Sequence, residues 1–321
     1  MSAQRIKGLI YLTALLGLGA GSVLAGEYPR KPIRLLVSGI AGSSNFAARL
    51  IADGLSSSLG QQVVVDGREG GVTVSTIAAQ AKPDGYTLLL NGSALWLSPF
   101  MRSSTPYDPV RDFSPIALTN RVPNLVVVHP SLPARSIRDL ISLAKAKPGE
   151  LNCAAGNLGT SNHLAAELFK AMAGVNIASI PYKGAAPALN DLIGGHVHLM
   201  FPSASSAVPH VKAGRLRALA VTAAQPTALA PGLPTVSASG VPGYESVAIF
   251  GVFAPAKTPG TIISQLNREI VKALNDAEVK NRFFNAGSDV VGGSPQEFAE
   301  AVKSEMIKWG KVIKDAGIRF D

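Results

Sequence analysis

The chain has 321 residues, with 30 Lys and Arg against 21 Asp and Glu, a formal net charge of +9. That excess is spread without a basic run or a basic–aromatic ladder, which argues against a nucleic-acid surface. A single cysteine, Cys153, excludes an internal disulfide framework, so stability must come from an apolar core, for which the length is ample even across two domains.

Residues 1–25 read as a secretory signal peptide: a basic start with Arg5 and Lys7, an apolar run over residues 8–20, then Val23 and Ala25 as small residues before a cut after Ala25. The run is short for a membrane span, although an uncleaved anchor is the alternative, since no charge stands between Lys7 and Glu27. Removing the leader leaves 28 basic and 21 acidic side chains, a net of +7. Such a field helps to attract a small anion, or serves solubility alone.

From there strands and helices alternate. Residues 33–37 predict a strand, 38–45 a small-residue turn, and 46–59 a helix stopped by Gly60. Residues 63–65 read as a buried strand, 66–71 as a flexible turn, 72–81 as a helix and 86–90 as another strand followed by Asn91, Gly92 and Ser93. Residues 99–115, rich in Pro, Ser, Asp and Arg, read as a surface connection. Residues 125–128 form a strong strand signal, and Ser136 with Asp139 predicts a capped helix ended by Lys147-Pro148-Gly149.

Residues 151–169 are the clearest unit: a small-residue strand, a Gly/Asn/Thr/Ser turn, and a helix with Ser161 as its N-cap and Leu164, Leu168 and Met172 along one side. A turn of little bulk before a helix leaves N–H groups free, which suits an anion. Residues 35–59 repeat the pattern, and two such turns suggest two lobes closing over one small acid. Neither turn carries a GxGxxG or GxxxxGK[ST] motif, so nucleotides are poor candidates.

Residues 177–180, 197–201, 216–221 and 247–253 read as strands, and 223–243 as an ordered surface crossing. Helices are expected from Thr258-Pro259, over 278–284, and from Ser294-Pro295-Gln296-Glu297, the last with a core stripe of Phe298, Val302, Met306, Trp309 and Ile313. The βα units before and after residue 124 match two α/β lobes. Pattern alone leaves open which lobe takes the last third.

Catalytic signals are weak. The five histidines form no HExxH, and no GxSxG elbow precedes a helix. His196 and His198 stand at strand spacing on one face, but no carboxylate or cysteine beside them completes a metal site. Cys153 lies in an apolar strand and reads as a core residue. Polar, uncharged turns rich in backbone donors suit holding a molecule better than transforming it.

Several segments, in order, carry a family resemblance: KPIRLLV, KPDGYTLL, YDPVRDFSPIA, the turn and helix of residues 156–169, PYKGAAPALNDLIGG, VPHVKAGRLRALAVT and FAPAKTPG. Over residues 28–318 the chain resembles the TctC-like, or Bug, solute receptors of tripartite tricarboxylate transporters. The resemblance implies a type II periplasmic binding protein: a leader over 1–25, one lobe of residues 28–123 plus 245–321, a second of 124–244, and a ligand cleft between them. It implies a monomer without cofactor or metal. Its ligand would be a small organic carboxylate (a di- or tricarboxylate, or an aromatic acid), passed to a two-component membrane permease.

By position, the family's cleft maps onto Gly42, Ser43, Ser44, Asn45, Phe46, Asn91 and Ser93 in the first lobe, with Phe250 at the border. In the second lobe it maps onto Gly156, Asn157, Thr160, Ser161, Tyr182, Lys183, Ser203 and Ser205. Lys183 either forms a charge-assisted bond or is solvated. Three departures stand out: SGIAGSSNF lacks the prolines and acid of the usual first turn, DGREGGVTV is shortened, and Phe201-Pro202-Ser203 lacks the usual Asp. These changes point to altered ligand choice, with weakened binding as the competing reading. A sensory protein feeding a receptor kinase, and an exported hydrolase using a loop serine, are the alternatives from other classes.

Overall fold

The computed structural model describes residues 28–38, 43–68, 70–156 and 159–319. The leader, Gly42 and Asn157 lie outside those residues. In chain order the elements are β1 (Ile33–Ser38), α1 (Ser43–Leu59), β2 (Val63–Arg68), α2 (Gly71–Ala79), β3 (Thr87–Gly92), α3 (Ser93–Met101) and β4 (Phe113–Pro123). Then follow β5 (Leu125–Val128), α4 (Ile137–Ala146), β6 (Asn152–Ala155), α5 (Ser161–Ala173), β7 (Ala178–Pro181), α6 (Ala185–Ile193), β8 (Leu199–Met200), α7 (Ala204–Lys212) and β9 (Arg217–Val221). The chain ends with β10 (Val247–Pro255), α8 (Gly260–Asn275), α9 (Ala277–Asn285), β11 (Asp289–Val290) and α10 (Pro295–Asp315).

Two sheets result, in the orders β11-β4-β10-β3-β1-β2 and β7-β6-β8-β5-β9. In the first, β1 runs parallel to β2 and β3, while β10 is antiparallel to both β3 and β4. In the second, β6 is parallel to β7 and β8, and β5 is antiparallel to β8 and β9. Helices cover both sheets, so the strands are apolar on both faces: Leu88, Leu89 and Leu90 are all buried, as are Val126, Val127 and Val128. These are the two α/β lobes of a type II periplasmic binding protein. The chain crosses once at Asn124, between β4 and β5, and returns between β9 and β10, which carries the last third of the chain to the first sheet.

One apolar seam joins the lobes. Leu36 and Leu89 of the first sheet share a core cluster with Val126 of the second and with Leu164 and Phe169 of α5. Helix α10 packs on β4, α3 and α5, and the Tyr244 hydroxyl donates to the Ala165 carbonyl at 2.9 Å. Phe298 of α10 meets Phe253 at 4.7 Å between ring centroids and lies over Gly251, where any Cβ would collide with the ring. The expected core stripe of α10 is buried at Phe298, Val302, Trp309 and Ile313, and Ser294 with Glu297 forms a complete capping box.

The structure departs from the sequence reading in several places. Residues 99–115 are not a plain connection, since α3 runs to Met101 and β4 begins at Phe113. Residues 66–68 continue β2 because Asp66 pairs with Arg34 on the neighbouring strand and with Arg68 on its own. The N-cap of α5 is Thr160, which makes Ser161 the first helical residue. Ser136 caps α4 by accepting from Asp139 N, and the Asp139 carboxylate accepts from the Arg135 N–H at 2.9 Å as well as interacting with Ser136. His198 lies outside β8 and accepts from the Asn152 N–H at 2.9 Å, while His196 stands 3.4 Å from Asp191, so the pair does not work together. Among the described residues no group of His, Cys, Asp and Glu is placed to hold a metal.

Candidate functional site

Sheet topology decides where a ligand can sit. The C-terminal ends of β1, β2 and β3 share one edge with the end of β4 and the start of β10, since β10 is antiparallel to its two neighbours. In the second sheet the ends of β6, β7 and β8 share an edge with the start of β5. Asn124 belongs to both edges, because β4 ends and β5 begins on either side of it. Helices α1, α2 and α3 start from the first edge and α5, α6 and α7 from the second, so both edges carry N-terminal N–H groups. Unpaired N–H groups and the positive ends of helix dipoles favour an anion there.

On the first edge, Ser43 opens α1 and Ser44 is half-buried. Asn45 is buried, its Oδ1 accepting from Arg49 Nε at 2.8 Å, and Phe46 packs edge-on against Phe283 of the lobe core at 6.0 Å. Asn91 is likewise internal: its Nδ2 donates to Ser75 at 3.1 Å and its Oδ1 accepts from the Gly92 N–H at 2.8 Å. These three side chains shape the turns rather than face outward from them. Ser93 begins α3, half-buried, and the Phe250 ring covers Gly92 beside it, so tightly that a Cβ on Gly92 would lie 2.9 Å from the ring.

On the second edge, Gly156 stands against the Gly184–Ala185 backbone, which brings the starts of α5 and α6 together. Thr160 and Ser161 are half-buried at the head of α5. Tyr182 turns outward along α6, where its hydroxyl donates to Asp191 at 2.7 Å; desolvation and that carboxylate push the phenol up to about 12. Lys183 is exposed and makes no ion pair among the described residues. Ser203 stands at the N-cap position of α7, its hydroxyl sharing hydrogens with Ser206 at 2.8 Å and Ser205 at 3.3 Å. Ser205 touches the first lobe at Gly287, so the two edges meet there.

A buried polar chain behind the α5 turn is not visible in the turn itself. The Gly159 N–H donates to His163 Nδ1 at 3.0 Å, which requires the ring proton on Nε2, 3.4 Å from Glu167. Glu167 also pairs with Lys170 at 2.6 Å and accepts from the Ser179 hydroxyl at 2.7 Å. Burial alone would raise the Glu167 carboxyl; the bonds from His163, Lys170 and Ser179 outweigh it and bring it down to about 2. The signal that would have found this chain is the i, i+4, i+7 spacing of His163, Glu167 and Lys170 on one helical face.

A groove of about 530 Å³ lies elsewhere, beside the lobe crossings, lined by Arg121, Thr227, Glu245 and Asp289 among others. It contains none of the residues above, and two carboxyl groups on its wall disfavour an anion. Burial raises the Asp289 carboxyl, with Thr227 opposing the shift.

Two α/β lobes whose sheet edges both carry helix N-termini, joined by a crossing at Asn124, have the architecture of a solute-binding receptor. Comparison with known proteins agrees. The tripartite tricarboxylate transporter family receptor (TctC) profile matches residues 47–318, and the chain belongs to that family. A UPF0065 protein from the tcbD–tcbE intergenic region of Pseudomonas sp. strain P51 is 39% identical over 290 residues, covering 89% of this chain and 86% of the relative. The structure of R. palustris Rpa4515 with adipate aligns at 39% identity and TM-score 0.80, covering 91% of this chain and 99% of the other. MatC from Rhodopseudomonas palustris with bound malate aligns at 28% identity and TM-score 0.74, covering 89% and 100%. The chain is therefore a periplasmic receptor for a small organic acid. Among the described residues, no helix is long and apolar enough to cross a membrane.

Proposed function

We infer that the protein, exported by a leader cut after Ala25, captures a small di- or tricarboxylate or an aromatic acid between its lobes and delivers it to a two-component membrane permease. The observation that carries this reading is that both sheet edges carry helix N-termini. Aligned N–H donors hold a carboxylate without an arginine clamp. The proposed lobes are residues 28–123 with 245–321, and residues 124–244.

In this reading the hydroxyls and N–H groups of Ser44, Ser93, Thr160, Ser161, Ser203 and Ser205 meet the acid, and Gly42, Ser43, Gly156 and Asn157 belong to the same site. Lys183 adds charge at the rim and Phe250 an apolar wall. Asn45, Phe46, Asn91 and Tyr182 act by holding their turns in shape. Rpa4515 with adipate and MatC with malate support a carboxylate ligand by family likeness.

The test is native mass spectrometry of the purified exported chain, before and after mild denaturation and refolding. A released small acid of defined mass supports the reading and identifies the class. A chain with nothing bound, and no thermal shift across a panel of mono-, di-, tri- and aromatic carboxylates, would overturn it.

A further inference from the structure

Asn124 is the residue at which the two cleft edges meet. Its backbone is fully engaged: its N–H donates to Thr222 Oγ1 at 2.8 Å, and its carbonyl accepts from the Thr222 N–H and hydroxyl, each at 2.9 Å. Its side chain is not. The residue is 1% exposed, and neither Nδ2 nor Oδ1 has a hydrogen-bonding partner among the described residues. Folded proteins seldom bury a donor and an acceptor together without use for them. Asn124 also forms an isolated antiparallel bridge with Ser203, so the two side chains project to the same face. Ser203 is the N-cap of the nine-residue α7 and its hydroxyl does not cap that helix. The carboxamide therefore stands beside a helix N-terminus and the hydroxyls of Ser203, Ser205 and Ser206.

A carboxamide needs one acceptor for its N–H and one donor for its oxygen. A bare carboxylate satisfies Nδ2 and sets its negative charge against Oδ1. A carboxylate with a hydroxyl on the adjacent carbon satisfies both: its oxygen accepts from Nδ2 while its hydroxyl donates to Oδ1. We propose that Asn124, with Ser203 and the start of α7, forms a subsite at the floor of the cleft that selects 2-hydroxy carboxylates over the same acids without the hydroxyl. This rests on the receptor reading above.

Calorimetric titration of the full exported chain with paired probes tests it: succinate against malate, glutarate against 2-hydroxyglutarate, and phenylacetate against mandelate. The wild type should favour the hydroxylated member of its best-bound pair by about 10-fold or more, since buried polar groups left unpaired penalise the plain acid. Asn124→Ala should reduce that preference to about 3-fold or less, the loss falling mainly on the hydroxylated acid, while barely moving the melting temperature, because the side chain bonds to nothing among the described residues. Should the alanine variant fail to fold, Asn124→Leu keeps the volume and carries the same expectation. A wild type without preference, a preference that survives the substitution, or a parallel loss of both acids (as for a side chain that only anchors a buried water) overturns the assignment and leaves the receptor reading standing. A wild type that binds no acid in any pair also overturns the assignment, while the receptor reading stands or falls on the ligand release and carboxylate panel described above.

Discussion

Glu167 is 10% exposed at its side chain and is held by Lys170, Ser179 and His163, a set of donors that only the carboxylate form can use fully. Its folded value, about 2, lies below the ordinary 4.5, so the carboxylate stabilises the fold at pH values above 4.5 and that contribution is lost as pH falls from 4.5 toward 2. The difference corresponds to about 3 kcal/mol at most. Urea melts at pH 7, 4 and 3 should show wild-type stability falling steeply on acidification. Glu167→Gln should be weaker by about 1–3 kcal/mol at pH 7 and much flatter below pH 5. Equal acid slopes for the two proteins would show that the chain behind the α5 turn carries no such coupling. Cys153 offers a second residue-scale check. Burial pushes its thiol up to about 12, so a thiol–disulfide reagent should label the native protein at least about 100-fold more slowly than the unfolded chain. Fast labelling would mean that β6 opens readily.

Helix α3 shows how an element hides from its own sequence. Pro99 within it removes the N–H that would reach the Leu95 carbonyl, and the Tyr107 hydroxyl donates to that carbonyl instead, at 3.1 Å. Tyr107→Phe should leave a buried acceptor without a partner and cost about 1–3 kcal/mol in a denaturant melt; a neutral result would mean that α3 does not depend on the substitute bond. The partner lies 12 residues away, so no local pattern announces the helix. Strand β4 was illegible for a related reason: Pro115, Asn120 and Arg121 break its apolar pattern, while pairing with β10 along most of its length supplies what the pattern lacks. The parallel strands and the capping box of α10 were legible because short-range rules decide them. At the site, sequence order placed the turns on two edges. It did not show that Asn45, Asn91 and Tyr182 spend their polar groups on neighbouring side chains, because Arg49, Ser75 and Asp191 do not advertise that use.

At the scale of the molecule, capture of a solute between lobes depends on how closely the two edges approach, and Gly287 is where they touch. Its φ is +73°, a region that glycine enters freely, and a Cβ there would collide with Ser205 and lie 2.7 Å from the Ser205 backbone nitrogen. That nitrogen belongs to the first turn of α7, which is tied into the second lobe and cannot swing aside as a long side chain would. Gly287→Ala should therefore hold the edges apart, and a ligand gripped from both sides loses donors on one of them. The expected outcome is an affinity about 10-fold or more below wild type, mostly through faster release, since closure comes after encounter. Backbone strain alone must be separated from the collision. Gly243 has nearly the same φ, +78°, but nothing within 4 Å of a Cβ built on it, so Gly243→Ala supplies the strain without the contact. Both variants should lose about 1 kcal/mol of stability from the left-handed backbone, and only Gly287→Ala should lose affinity and show a larger radius of gyration in solution scattering with ligand present. Equal affinities for the two variants would mean that the lobes grip the acid without needing the Gly287–Ser205 approach.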